Sequence, residues 1–192
     1  ECVVQDDATA SFGVMPPFLL QHMSGHYTNI RIETAGNLAI DSLVNRAAGS
    51  VTVGSGHALR SDQIDNRGAI AVAGTLDAAS VANAAGATLG LAGGRLTGTL
   101  VNRGAVDGSG TIQGDLQNFG HAVLAGAVNG RITNERGEGL IVTGVLATSG
   151  LQTRADSRTT IETRGALTST DTIGNGGLLH VFGRVNGGVS NR

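Results

Sequence analysis

The sequence predicts an all-β fold, a single-domain right-handed parallel β-solenoid with an irregular N-terminal cap. Three observations lead to this prediction: the composition, the absence of helical periodicity, and an internal repeat. Glycine occupies 31 of the 192 positions and aromatic residues make up 3%, which is typical of many short strands joined by tight turns. No long segment carries apolar residues at i, i+3, i+4 and i+7 without an interrupting glycine, so amphipathic helices are not expected.

The repeat is centred on asparagine. Most gaps between successive asparagine turns are 16 to 21 residues, and the one gap of 41 residues is divided by Thr153 into 19 and 22. A period of about 18 residues gives about nine coils, which is the spacing of a repeat architecture. The predicted ladder consists of Asn29, Asn45, Asn66, Asn83, Asn102, Asn118, Asn134, Asn175 and Asn191.

Aliphatic residues recur between the asparagines, about three to a repeat, and predict three short strands per coil. The expected inward residues after four of the asparagines are Ile70, Leu76 and Val81; Leu89, Leu96 and Leu100; Val106, Ile112 and Leu116; and Val123, Val128 and Ile132. In the last unit they are Leu178, Val181, Val185 and Val189. Glycines are expected to supply the positive φ angles of the corners. The asparagine amides are expected to stack at one corner, each bonded to the coils above and below it.

The two ends of the chain differ from the repeat. Residues 1–28 contain both prolines and both methionines, and they predict an N-terminal cap or subunit-docking segment ahead of a solenoid domain over 29–192. Within that segment the candidate interface residues are Cys2, Met15, Phe18, Leu19 and Leu20. Cys2 is the only cysteine, so it is either inert or a candidate for pairing between molecules.

The sequence stops at RVNGGVSNR, in the middle of the repeat motif. Two interpretations stay open: a piece of a longer solenoid, or a last coil that another molecule covers. The second predicts an interface at Val185 and Val189 and a head-to-tail homopolymer, because a heterologous contact propagates.

Composition argues against several functional classes. The net charge of −2 gives no electrostatic case for binding nucleic acid, and no apolar run is long enough for membrane insertion. All 13 basic residues are arginine, the aspartates occur singly, and His22 and His26 lack a helix and a third ligand. No catalytic, cofactor or metal site is therefore expected, and the chain is not expected to be an enzyme. Arginines beside the predicted ladder form a stripe along one edge, which either keeps the rod soluble or binds anionic polysaccharide. The stripe comprises Arg46, Arg67, Arg103, Arg136 and Arg192.

The run GSGTIQGDLQNFG, with LVNRGAV before it and LAGAVNGRITNERG after it, resembles the passenger repeats of bacterial autotransporters and filamentous-haemagglutinin-type adhesins. The resemblance covers residues 29–192. It implies export across a Gram-negative envelope and a non-enzymatic role outside the cell or on its surface, as a structural filament subunit in the first place. Two alternatives remain: an adhesin passenger or stalk that binds host or matrix glycans, and a bactofilin-like cytoskeletal polymer.

Overall fold

The computed structural model describes residues 37–192, apart from the side chain at position 138, and ahead of them the backbone of three short strands. The strands are β1 (Thr9–Ser11), β2 (His26–Tyr27), β3 (Asn29–Ile32), β4 (Leu38–Asn45), β5 (Ser50–Val53), β6 (Ala58–Asn66), β7 (Ala69–Val72), β8 (Thr75–Asn83), β9 (Thr88–Leu91), β10 (Arg95–Asn102), β11 (Ala105–Gly108), β12 (Thr111–Gln113), β13 (Leu116–Asn118), β14 (His121–Asn134), β15 (Gly137–Thr153), β16 (Ser157–Ile161), β17 (Ala166–Ser169), β18 (Ile173–Asn175), β19 (Leu178–Val181), β20 (Arg184–Asn186) and β21 (Val189–Asn191).

Each strand pairs in parallel with the equivalent strand one coil away. β6, for example, lies between β4 and β8, and its Asn66 aligns with Asn45 on one side and Asn83 on the other. This arrangement confirms the predicted all-β, right-handed parallel solenoid, with about eight turns where the sequence predicted about nine. Part of the predicted cap, residues 1–28, joins the stack, since β1 pairs with β3 and β2 with β4. The rest of that segment lies outside the described residues.

A coil has three faces, which we call leading, ladder and closing. The leading face carries the row Leu38, Leu59, Leu76, Leu96, Ile112 and Val128. The ladder face follows it and ends at the asparagines. In β4, β6, β8 and β10 the two faces form one strand, and in β10 a register shift between Thr97 and Thr99 lies at the bend. The closing face consists of β5, β7, β9 and β11 and their successors.

The core is one continuous column of aliphatic side chains. Alternation along β5 and β7 places every second side chain inside the solenoid, as the pleat of a strand requires. Two expected inward residues were wrong by one position. Ala122 and Leu124 face the core in place of Val123, and Leu178 aligns with the exposed Arg158, so that Leu179 takes the inward position.

Glycine has two roles at the corners. Some corner glycines have positive φ, as expected, including Gly56 at 80° and Gly86 at 81°. Others stack in columns without a positive φ. A Cβ at Gly120 would overlap the carbonyl oxygen of Gly104, and a Cβ at Gly104 would overlap that of Ala87. At Gly104 and Gly120 glycine is required because the backbone of the preceding coil lies too close for a side chain.

Candidate functional site: the asparagine ladder and the C-terminal coil

Five consecutive amide–amide hydrogen bonds form a ladder through the ladder face. The six asparagines are 0–1% exposed, which makes their hydrogen bonding a strict requirement. Each Nδ2 donates to the Oδ1 of the next coil, from Asn45 to Asn66 at 2.7 Å, Asn66 to Asn83 at 2.7 Å, Asn83 to Asn102 at 2.8 Å, Asn102 to Asn118 at 2.7 Å and Asn118 to Asn134 at 3.0 Å.

Backbone groups determine which way each amide points. The same Nδ2 atoms also donate to backbone carbonyls in the next coil, for instance from Asn83 to Ala105 at 3.0 Å and from Asn102 to His121 at 3.0 Å. The Oδ1 of Asn102 in turn accepts from the backbone N of Gly104 at 3.1 Å. Because a carbonyl oxygen can only accept, a flipped amide would lose these bonds. The ladder is therefore polar, with every donor directed toward the C-terminal end.

Asn29 was wrongly included in the ladder. The residue opposite Asn45 in the preceding coil is Tyr27, and Asn29 begins the next strand, where it aligns with Thr9. Asn29 therefore lies past the corner, at the start of the closing face.

Thr153 holds the rung between Asn134 and Asn175, as the spacing predicted. A second threonine, which the sequence analysis missed, completes this rung. Asn134 Nδ2 donates to Thr159 Oγ1 at 3.2 Å, and the hydroxyls of Thr153 and Thr159 are 2.9 Å apart. Thr159 occupies an inward position between Leu140 and Leu179. The sequence does hold a signal for this role, because Thr159 places a hydroxyl in an inward row whose neighbouring members, Leu140 and Leu179, are aliphatic.

The ladder resumes at Asn175, with one unmet hydrogen bond. Asn175 Nδ2 donates to Asn191 Oδ1 at 3.1 Å. Its own Oδ1 is buried and accepts no hydrogen bond from the described residues. The hydroxyls of Thr153 and Thr159 bond each other, and neither bonds Asn175 Oδ1, so the chain of side-chain hydrogen bonds is interrupted between Asn134 and Asn175.

Arginine side chains recur beside the ladder, but acidic and aromatic residues interrupt the predicted stripe. Arg67 bonds Asp65 through Nε at 3.0 Å and Nη2 at 2.8 Å. The Arg103 guanidinium lies 5.2 Å from the ring centroid of Phe119, a cation–π geometry. Position 135, which follows a ladder residue, is a glutamate. The remaining predicted members are Arg46, Arg136 and Arg192, all exposed.

We define the C-terminal coil as strands β19 to β21. Its inward rows continue those of the preceding coil, since Val185 aligns with Leu167 and Val189 with Ile173. Ile173 is 0% exposed, whereas Val189 is 47% and Val181 46% exposed. The candidate interface residues Val185 and Val189 thus lie on inward rows of the C-terminal coil. The candidates Cys2, Met15, Phe18, Leu19 and Leu20 lie outside the described residues.

Within the described part of the chain, no three or more histidine, cysteine, aspartate or glutamate side chains cluster as metal ligands would. The same residues include no helix with the length and apolar character needed to cross a membrane.

No protein-family model and no solved structure matches the chain. Three curated mycobacterial proteins share a short segment with it, at 58% identity over 41 residues. They are Uncharacterized protein Mb0489c of Mycobacterium bovis and Uncharacterized proteins MT0497 and Rv0479c of Mycobacterium tuberculosis. The shared segment covers 21% of this chain and 12% of each relative's length. The likeness is local, and it assigns no family.

Proposed function

We propose that this protein is a non-enzymatic structural β-solenoid whose C-terminal coil stacks on another copy, joining subunits head to tail into filaments outside the cell or on its surface. The observation that carries the proposal is the uniform direction of the stack. Each strand pairs in parallel with its equivalent one coil away, and every ladder amide from Asn45 to Asn118 donates to the next coil. A contact between copies that continued this pairing would be heterologous and head to tail, and such contacts propagate.

The polarity of the ladder supports a head-to-tail contact over a tail-to-tail contact. Asn191 accepts from Asn175 through Oδ1, so its Nδ2 is directed toward the C-terminal end, like the donors of the earlier rungs. Two C-terminal coils packed face to face would bring amide donor against amide donor. A coil arriving in the same orientation as the rest of the stack instead presents acceptors to this donor, as each coil within the rod does.

The extracellular setting rests on the resemblance to exported passenger repeats. We therefore propose that the protein is secreted to the surface of a Gram-negative cell.

A matched pair of variants tests the assembly. V189D places a carboxylate on the inward row of the C-terminal coil, and S190D places the same charge on the adjacent, outward position of the same strand. We expect concentration-dependent assembly of the wild-type chain and of S190D in sedimentation velocity, and a monomeric V189D. Equal assembly of V189D and S190D, or a wild-type chain that stays monomeric at every concentration, would contradict the proposal.

An adhesin stalk that binds anionic glycan is the second candidate. It is supported by the arginines beside the ladder and by Phe119, which is 39% exposed beneath Arg103. Guanidinium groups and an exposed ring are suited to sulfated or carboxylated sugars. Salt-sensitive binding of a strictly monomeric chain to such a glycan, lost in R103A, would favour this candidate over the filament.

A further inference from the structure

Each intact rung of the ladder fastens its coil to the next one twice. The asparagine Nδ2 donates to the Oδ1 of the next rung, and it also donates to a backbone carbonyl at the start of the closing face that follows that rung. The five donor–acceptor pairs of the second kind are Asn45 with Ala69, Asn66 with Thr88, Asn83 with Ala105, Asn102 with His121 and Asn118 with Gly139, all at 2.9–3.0 Å.

Asn134 still fastens its coil twice, although the next rung is a threonine. Its Nδ2 donates to Arg158 O at 2.8 Å and to Thr159 Oγ1 at 3.2 Å. Both acceptors lie at the start of the closing face that follows Thr153. The hydroxyl of Thr159 therefore stands in for the missing amide oxygen.

Thr153 makes neither of the two ladder bonds to the coil that follows it. Its Oγ1 is attached directly to Cβ, one atom closer to the backbone than an asparagine Nδ2, and it bonds Thr159 at 2.9 Å. Among the described residues, its side chain bonds neither Asn175 nor the backbone of β19. Asn175 Oδ1, which would accept the ladder bond, is buried without a donor from these residues.

The backbone pairing on the ladder face is also short at this interface. β18 pairs with β15 at Gln152 and Thr153, whereas β15 pairs with β14 on the same face from Arg131 to Asn134. A side-chain bond that does cross here lies on the outer side of the face, from the half-buried Gln152 Nε2 to Gly174 O at 3.1 Å. The ladder face is therefore held less firmly between β15 and β18 than between the coils before them.

We propose that the interface between β15 and the coil β16–β18 is a preset joint of the solenoid, where the rod opens before the interfaces on its N-terminal side. Coils in such a stack contact their neighbours, so that stability is close to a sum of coil and interface terms, and opening begins where the interface term is smallest. Paired coils lie on both sides of the joint, so the joint belongs to the interior of the rod.

The joint gives the rod a fixed place at which to yield. Coils after Thr153 can open while the continuous ladder from Asn45 to Asn134 stays closed. The inference does not depend on filament formation, and it is tested on the monomer.

Hydrogen–deuterium exchange of the folded monomer, read by mass spectrometry, measures the protection of each coil. Two missing hydrogen bonds are worth roughly a tenfold change or more in an opening equilibrium. We therefore expect the backbone amides of 157–175 to exchange at least about tenfold faster than those of 121–134, with the change in rate at Thr153. Equal protection of the two segments, or a decline by similar steps from coil to coil with no larger step at Thr153, would overturn the inference.

The double variant T153N/T159V restores an amide to the rung and removes the hydroxyl that served in its place. It should slow exchange of 157–175 by about tenfold and leave the rates in 59–83 unchanged. T133N is the matched control, because it makes the same threonine-to-asparagine change at an outward position of β14, beside the ladder, and it should leave the rates in 157–175 as they are.

An unchanged exchange rate of 157–175 in a folded T153N/T159V would contradict the joint, and so would an equal slowing in T133N. The step at Thr153 in the wild-type chain tests the joint without either variant.

Discussion

Removing one ladder asparagine should destabilise the protein far more than removing an exposed asparagine. Asn102 takes part in four hydrogen bonds: it accepts from Asn83 Nδ2 and Gly104 N, and it donates to Asn118 Oδ1 and His121 O. N102A deletes all four. Asn83 Nδ2 keeps its bond to a backbone carbonyl, but the Gly104 nitrogen and the Asn118 oxygen lose a partner inside the rod.

The magnitude follows from these orphaned groups. A buried polar group without a partner costs about 1–3 kcal/mol. Two such groups give roughly 2–6 kcal/mol, a large fraction of the ~5–15 kcal/mol that stabilises a typical domain. The control is N129A, which removes the same side chain from an exposed position and should change the free energy of unfolding by less than about 0.5 kcal/mol.

The assay is urea unfolding of both variants followed by circular dichroism in the β-strand band. Comparable midpoints and slopes for N102A and N129A would refute the reasoning, since they would show that the ladder hydrogen bonds contribute nothing net.

N102D adds a test of ladder polarity. Aspartate has nearly the same shape but carries an oxygen where Nδ2 faces the Asn118 and His121 oxygens. Burial among acceptors disfavours the charged carboxylate, so the folded-state pKa should lie above the unfolded value of about 4. The folded state then binds the proton more tightly than the unfolded state. Stability should be greatest below the unfolded pKa and should fall as the pH rises through the folded pKa. A stability that rises with pH relative to wild type would contradict the assigned orientation.

Two further predictions use the same unfolding assay. G120A should lower the free energy of unfolding by several kcal/mol, because the new Cβ would overlap the rigid backbone carbonyl of Gly104. A loss below about 1 kcal/mol would show that the coils can separate there. The double variant T153N/T159V should raise stability by about 1–2 kcal/mol, because an amide at position 153 gives Asn175 Oδ1 a donor. T159V alone should lower the free energy of unfolding by a similar amount, because the Thr153 hydroxyl loses its partner. If the effects of T153N and T159V on the free energy of unfolding simply add, the two residues do not interact, which would argue against this rung.

The period and the ladder were predictable from the sequence because both follow from one physical requirement. A buried amide at a corner needs an identical partner one coil away, so Asn45 to Asn134 recur at the coil length despite variation elsewhere. Thr153 was recognised for the same reason, as the residue standing where the spacing required a rung.

The errors arose where the local pattern was ambiguous. Consecutive apolar residues, as in HAVL and GLLHV, leave the alternation undetermined, and a shift of one residue turns every side chain to the other face. Ala122 and Leu179 were missed for this reason. Asn29 was assigned by residue type alone, whereas the pairing of Tyr27 with Asn45 depends on the length of the corner. The Thr153–Thr159 contact joins two positions on different faces, and spacing along the chain does not reveal it.

Negative-stain electron microscopy of the purified chain over a range of concentrations, with and without reductant, tests the central claim most directly. The account predicts fibres of uniform width, built by coils that continue at the ~4.8 Å spacing across each junction. Fibres that disappear on reduction would place Cys2 in the junction. Isolated rods near 40 Å long, about eight coils at that spacing, at every concentration would contradict head-to-tail assembly.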